Sequence, residues 1–214
     1  MNKLVAVSAL ALSVSLVVGC ATTRDAYQKE FERLSSLPPA APVMSPNPDV
    51  ANCAKFSCDL FNEVQPLMKA YVAKTEASLE YTGFMNDVQY YVDEEKMDAK
   101  AACKKVADDV IAADANRPDD QKLWPKIQKG IEAANSLDPK KQLAQIAILV
   151  ARNAEIVKSV SNLPNSFQNE DMMGKAKRAS ECKDISAQLA ESLECLTFLG
   201  DQYSRVLELE AYAR

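Results

Sequence analysis

The chain has 214 residues, with 25 Lys plus Arg against 30 Asp plus Glu and a net charge of −5. A composition of 48% hydrophobic and 26% charged residues is globular, and the length suits one ordinary domain. The acidic balance, with no clustered Lys/Arg run, argues against nucleic-acid binding. Histidine is absent altogether. That excludes Ser-His-Asp and Cys-His nucleophilic sites, HExxH zinc sites and His-ligated haem. The five glycines, Gly19, Gly83, Gly130, Gly174 and Gly200, fit no GxGxxG, GxxxxGK or GxSxG pattern. Lys, Glu or Tyr could still do acid–base work, so an enzyme is disfavoured rather than excluded, and the reading taken is a non-catalytic protein with no catalytic residues, no cofactor and no metal.

At the N-terminus, Met1-Asn2-Lys3 precedes an apolar stretch from Leu4 to Val18, broken only by Ser8, Ser13 and Ser15. Such a stretch spans about 22 Å as a helix, short of the roughly 30 Å hydrocarbon core of a membrane, so it suits a signal-peptide core. It ends in Val17-Val18-Gly19-Cys20. Here the chain resembles the bacterial lipoproteins, matching their lipobox at all four positions. The resemblance implies cleavage before Cys20, acylation of its sulfur and new amine, and a membrane anchor whose strength grows by about 0.8 kcal/mol per buried methylene. Ala21, not Asp, follows the cysteine, which by the same resemblance favours the outer membrane with the body in the periplasm.

Between residues 24 and 36, Tyr27, Phe31 and Leu34 share one helical face, which suits a short helix lying on the membrane or folding back on the body. Next, Pro38, Pro39, Pro42, Pro46 and Pro48 forbid a helix or a central strand through this stretch. An extended segment of that length spans on the order of 35 Å and reads as a spacer between membrane and body, with a proline-rich loop packed on the body as the alternative. The expected division is residues 1–19 as signal peptide, 20–49 as lipidated N-terminus, short helix and tether, and 50–214 as a helical domain.

The body is helical in period. One stripe runs through Cys53, Leu60, Val64, Leu67, Tyr71 and Met85, with Pro66 expected to kink or restart the helix. A second covers Cys103, Val106 and Val110, and a shorter one Trp124, Ile127 and Ile131. Asp138-Pro139 is a helix start ahead of Leu143, Ile146, Val150, Val157 and Val160. The last stripe continues from Ile185 to Leu207. No segment alternates like a strand. The fold predicted is all-α, an antiparallel bundle of long helices with four main members.

With Cys20 acylated, Cys53, Cys58, Cys103, Cys182 and Cys195 remain, and an oxidising compartment favours disulfides. Five cysteines allow two bonds in fifteen arrangements and leave one thiol to be buried or to link two copies as a homodimer. Cys182 and Cys195 lie about 20 Å apart on one helix, out of reach of each other. Heights in an up-down-up-down bundle favour Cys103 with Cys182 and Cys58 with Cys195 as staples.

Tyr81, Phe84 and Tyr91 recur on one helical face and are the candidate lining for an apolar ligand. A packed core explains the same spacing. Acidic pairs such as Asp108-Asp109 and Asp119-Asp120 read as solvated faces, and the segment from Asp114 is a weak match to a calcium loop. Met172-Met173 is a candidate contact surface. The function expected is a lipid-anchored envelope scaffold or accessory subunit with a protein partner. The alternative is a carrier for an apolar small molecule or lipid, and a filled core with an exposed apolar patch would favour the scaffold.

Overall fold

A computed structural model describes residues 25–76 and 78–210. Along them run α1 (Ala26–Ser35), α2 (Pro48–Thr75), α3 (Leu79–Asp93), α4 (Ala99–Asp114), α5 (Trp124–Asn135), α6 (Pro139–Asn162) and α7 (Met172–Leu209). There is no strand among the described residues, and the protein is all-α as its periodicity predicts.

Local chemistry sets the helix starts. Asn47 accepts from the N–H of Asp49 and Val50 with Pro48 at the first position of α2. Ser78, Asp98, Asp138 and Asp171 each accept the N–H three residues on, beginning α3, α4, α6 and α7. Asp138 does so with φ of 56°, a left-handed conformation that Asp tolerates better than most residues. Pro66 does not end its helix: it and Asn62, whose carbonyl it leaves unbonded, are exposed, so water can satisfy that oxygen. α2 ends instead at Thr75, and the Ser78 hydroxyl starts α3.

The long helices set the architecture, and it differs from an up-and-down bundle of four. Three helices are long, α2 (28 residues), α6 (24) and α7 (38), and four are short. The Ser57 hydroxyl donates to Gln188 Oε1 at 2.7 Å. Further along both helices, the Tyr71 ring meets Phe198 and Tyr203. α2 and α7 are therefore parallel. α6 runs against α7, with Ile146 near Gly200 and Asn153 Nδ2 donating to the Leu189 carbonyl at 2.9 Å. The short helices α3, α4 and α5 occupy the chain between α2 and α6, which is what allows α7 to return parallel to α2.

The proline-rich segment is not a free spacer. Gln65 Nε2 donates to the Leu37 carbonyl at 2.9 Å, Arg178 Nη1 to Ser45 Oγ at 2.6 Å, and Leu37 and Val43 pack against the core. Lacking backbone donors at its prolines, the segment is held by side chains of α2 and α7 reaching out to it. α1 likewise belongs to the body. Tyr27 stacks on Phe198 at 5.6 Å, Phe31 meets Tyr71 edge-on, and Arg33 pairs with Glu194 at 2.8 Å. Of the two readings of this helix, folding back on the body is the one seen.

Candidate functional site

Tyr81 and Phe84 lie in the core, and Tyr91 does not join them around a cavity. The Tyr71 hydroxyl links Tyr81 at 3.1 Å and Tyr27 at 3.4 Å, forming a buried chain of three phenols. Burial pushes the Tyr27 hydroxyl up to about 12 and raises Tyr71 and Tyr81 as well, so all three stay protonated at neutral pH. A methyl group added at Gly130 of α5 would stand 2.4 Å from Tyr81 Cβ, so no ligand fits between α3 and α5 there. Phe84 is closed off by Trp124, edge-on at 6.1 Å. Tyr91 instead borders a shallow groove of about 280 Å³ with Tyr90, Val106, Val110, Arg117 and Leu123. Lys105 Nζ already covers its ring at 5.0 Å from the centroid.

Next to the tyrosine chain sits a polar group that the sequence reading missed. Arg205 is 3% exposed, and its Nε and Nη1 meet no hydrogen-bond acceptor among the described residues. In the sequence it is one more charge in a long amphipathic helix, and only packing shows that it faces inward. The second inward arginine, Arg178, contacts Glu181 at 2.8 Å and lies under the proline-rich strap.

The cysteines do not pair as expected. Cys53, Cys58, Cys103, Cys182 and Cys195 are all free thiols. Cys103 lies beside Arg205 and Glu208, more than twenty residues along α7 from Cys182, or about 35 Å. Cys58 faces the Ala40 carbonyl on the strap. Because α2 and α7 are parallel in the Ser57–Gln188 register, Cys195 stands roughly 9 Å further along the axis than Cys58, beyond disulfide reach. Burial pushes Cys103 and Cys195 up to about 11 and also raises Cys53 and Cys182, so these four are poor thiolate nucleophiles. Cys20 and the rest of the Val17-Val18-Gly19-Cys20 motif lie outside the described residues.

The acidic pairs behave as solvated faces. Asp108 and Asp109 form i,i+4 pairs with Lys104 and Lys105, and Asp119 pairs with Lys122. Asp114 is different. It accepts the Trp124 N–H at 2.6 Å and Arg117 Nη1 at 2.9 Å, which joins α4 to α5 and occupies the oxygens a calcium loop would use. Burial raises its pKa, but the Trp124 and Leu123 N–H groups and Arg117 outweigh that and hold it below the usual carboxylate value. A depressed folded-state pKa stabilises above the unfolded value, near 4, and that contribution is lost as pH falls through the folded value. Asp114→Asn is therefore expected to lose about 1–3 kcal/mol at neutral pH, and less below about pH 4. Urea unfolding at the two pH values checks this, and an equal loss at both contradicts it.

Exposed apolar side chains gather on α6. Ile148 is 68% exposed, Val150 and Val157 are also open, and Leu193 on α7 joins them. Met172 and Met173 are exposed in the first turn of α7. Among the described residues no helix is long and apolar enough to cross a membrane. Comparison with family models, with curated proteins and with solved structures finds no match for this chain.

Proposed function

We propose that the protein is a non-catalytic lipoprotein of the cell envelope, anchored in the outer membrane through acylated Cys20. Its body stands in the periplasm and serves as a scaffold or accessory subunit by protein contact. The observation that carries the contact role is a filled interior beside an exposed apolar face. Tyr81 and Phe84 are packed where a carrier would need space, while Ile148, Val150, Val157 and Leu193 are turned outward. The address rests on Val17-Val18-Gly19-Cys20 alone. α1 and the strap belong to the body, so residues 37–48 do not act as a free tether in this reading.

Membrane fractionation of cells making the full chain tests the anchor. The parent protein is expected to sediment with membranes and Cys20→Ser to move to the soluble periplasmic fraction. A Cys20→Ser protein that still sediments would overturn the lipoprotein reading.

A further inference from the structure

α6 buries Ile146, Leu149, Asn153, Ile156 and Val160, a single face. Its other side is unusually apolar. Ala144, Ala147, Ala151 and Ala154 are all exposed and recur at spacings of three, four and three, the pattern of a seam against which another helix packs. Ile148 borders that seam on one side. On the other, Val150 and Val157 lie within roughly 40° of Ile146 around the helix, and Ile146 faces Gly200 of α7. Leu193, seven residues before Gly200 and so on the same face of α7, widens the band there. Four of the ten large apolar side chains exposed among the described residues fall on this band, which separates it from ordinary scatter.

Its charge is the second observation. α6 carries Lys140, Lys141, Arg152 and Lys158 against one acid, Glu155, on a protein of net charge −5. Arg152 is engaged by Glu63 of α2, while Lys140, Lys141 and Lys158 are exposed beyond the ends of the apolar band. Lys140 and Lys141 stand in the first turn of α6, where the helix dipole disfavours cations, and the one acid at that end is the Asp138 cap, which accepts the Lys141 N–H. The helix dipole works against their placement, which a negatively charged partner fits.

Resting on the contact role above, we propose that the outward face of α6 docks an amphipathic helix of another envelope protein, apolar along one stripe and flanked by carboxylates. A second copy fits worse. Antiparallel pairing that sets Ala144 against Ala154 and Ala147 against Ala151 also sets Lys140 against Lys158, between two acidic bodies.

The test places a photo-reactive benzoyl-phenylalanine at Ile148 of the full-length, lipidated protein in its native host, with Asp108 on α4 as the control position. Adducts are cut out and their cross-linked peptides sequenced. The expected result is one discrete adduct at position 148, absent at 108, joined to a helical segment of a different protein with Asp or Glu beside its apolar stripe. Lys141→Glu combined with Lys158→Glu, with helicity unchanged by circular dichroism, abolishes it. An adduct to a second copy, an adduct to lipid, no adduct, or an adduct whose yield survives the charge reversal each overturns the proposal. Fractionation of the same cells reads the anchor separately, so the two failures are distinguishable.

Discussion

Arg178→Met is expected to destabilise the protein by about 3–5 kcal/mol, because it strands a buried carboxylate. The Arg178 and Glu181 side chains are 4% and 7% exposed and approach to 2.8 Å. Among the described residues neither oxygen of Glu181 has a hydrogen-bond donor, so the charge of Arg178 is what compensates it. Glu170 lies on the other side of Arg178 at 3.6 Å, and Nη1 also holds Ser45 of the strap. The variant should thus loosen residues 38–46 as well, seen as faster limited proteolysis there. Adding Glu181→Leu removes the stranded charge and should restore most of the loss, since apolar replacement of a whole buried pair is often neutral. Urea unfolding of both variants checks this. A single variant within 1 kcal/mol of the parent, or a double no better than the single, contradicts it.

Gly130→Ala should destabilise by about 1–3 kcal/mol, against the sign that helix propensity alone predicts. Alanine in the middle of a helix is favoured over glycine by about 1 kcal/mol. At Gly130 the new methyl would stand 2.4 Å from Cβ and 2.6 Å from Cγ of Tyr81. Those atoms sit at the root of the Tyr81 side chain, so a rotamer change cannot relieve the contact and α3 must move off α5. The movement also pulls the Tyr81 hydroxyl from Tyr71. Thermal unfolding of the variant gives the sign, and a raised Tm would show that α3 and α5 are not packed this closely.

Local signals carried the helices. Asp138-Pro139 reads as a start because a carboxylate can accept the orphan N–H and proline needs none, and α6 begins there. The stripes at Leu60, Val64, Tyr71 and Ile131 are buried for the reason their spacing suggests. Path and pairing were less legible. Nothing local makes α7 return parallel to α2; that follows from the three short helices α3, α4 and α5 that the chain makes between α2 and α6. Once the direction differs, the heights of Cys58 and Cys195, and of Cys103 and Cys182, no longer match, and the staples fail together. Proline content could not decide between a spacer and a packed loop, because it reports backbone conformation and says nothing of Gln65 and Arg178 reaching out to hold the strap. Tyr81, Phe84 and Tyr91 share a helical period, yet period cannot tell a ring packed on a glycine from one at the lip of a groove. The α6 face could have been found from sequence: Ala144, Ala147, Ala151 and Ala154 lie opposite the stripe of Leu149, Ile156 and Val160, so the helix is apolar on two sides.

The central claim is that the protein works at its surface, with an interior already occupied by its own side chains. Native mass spectrometry of the protein secreted into the periplasm as the unlipidated Cys20→Ser chain tests this most directly. The account predicts the bare polypeptide mass, unchanged by denaturation. A reproducible adduct of a few hundred daltons, released when the chain unfolds, would contradict it and make the protein a carrier.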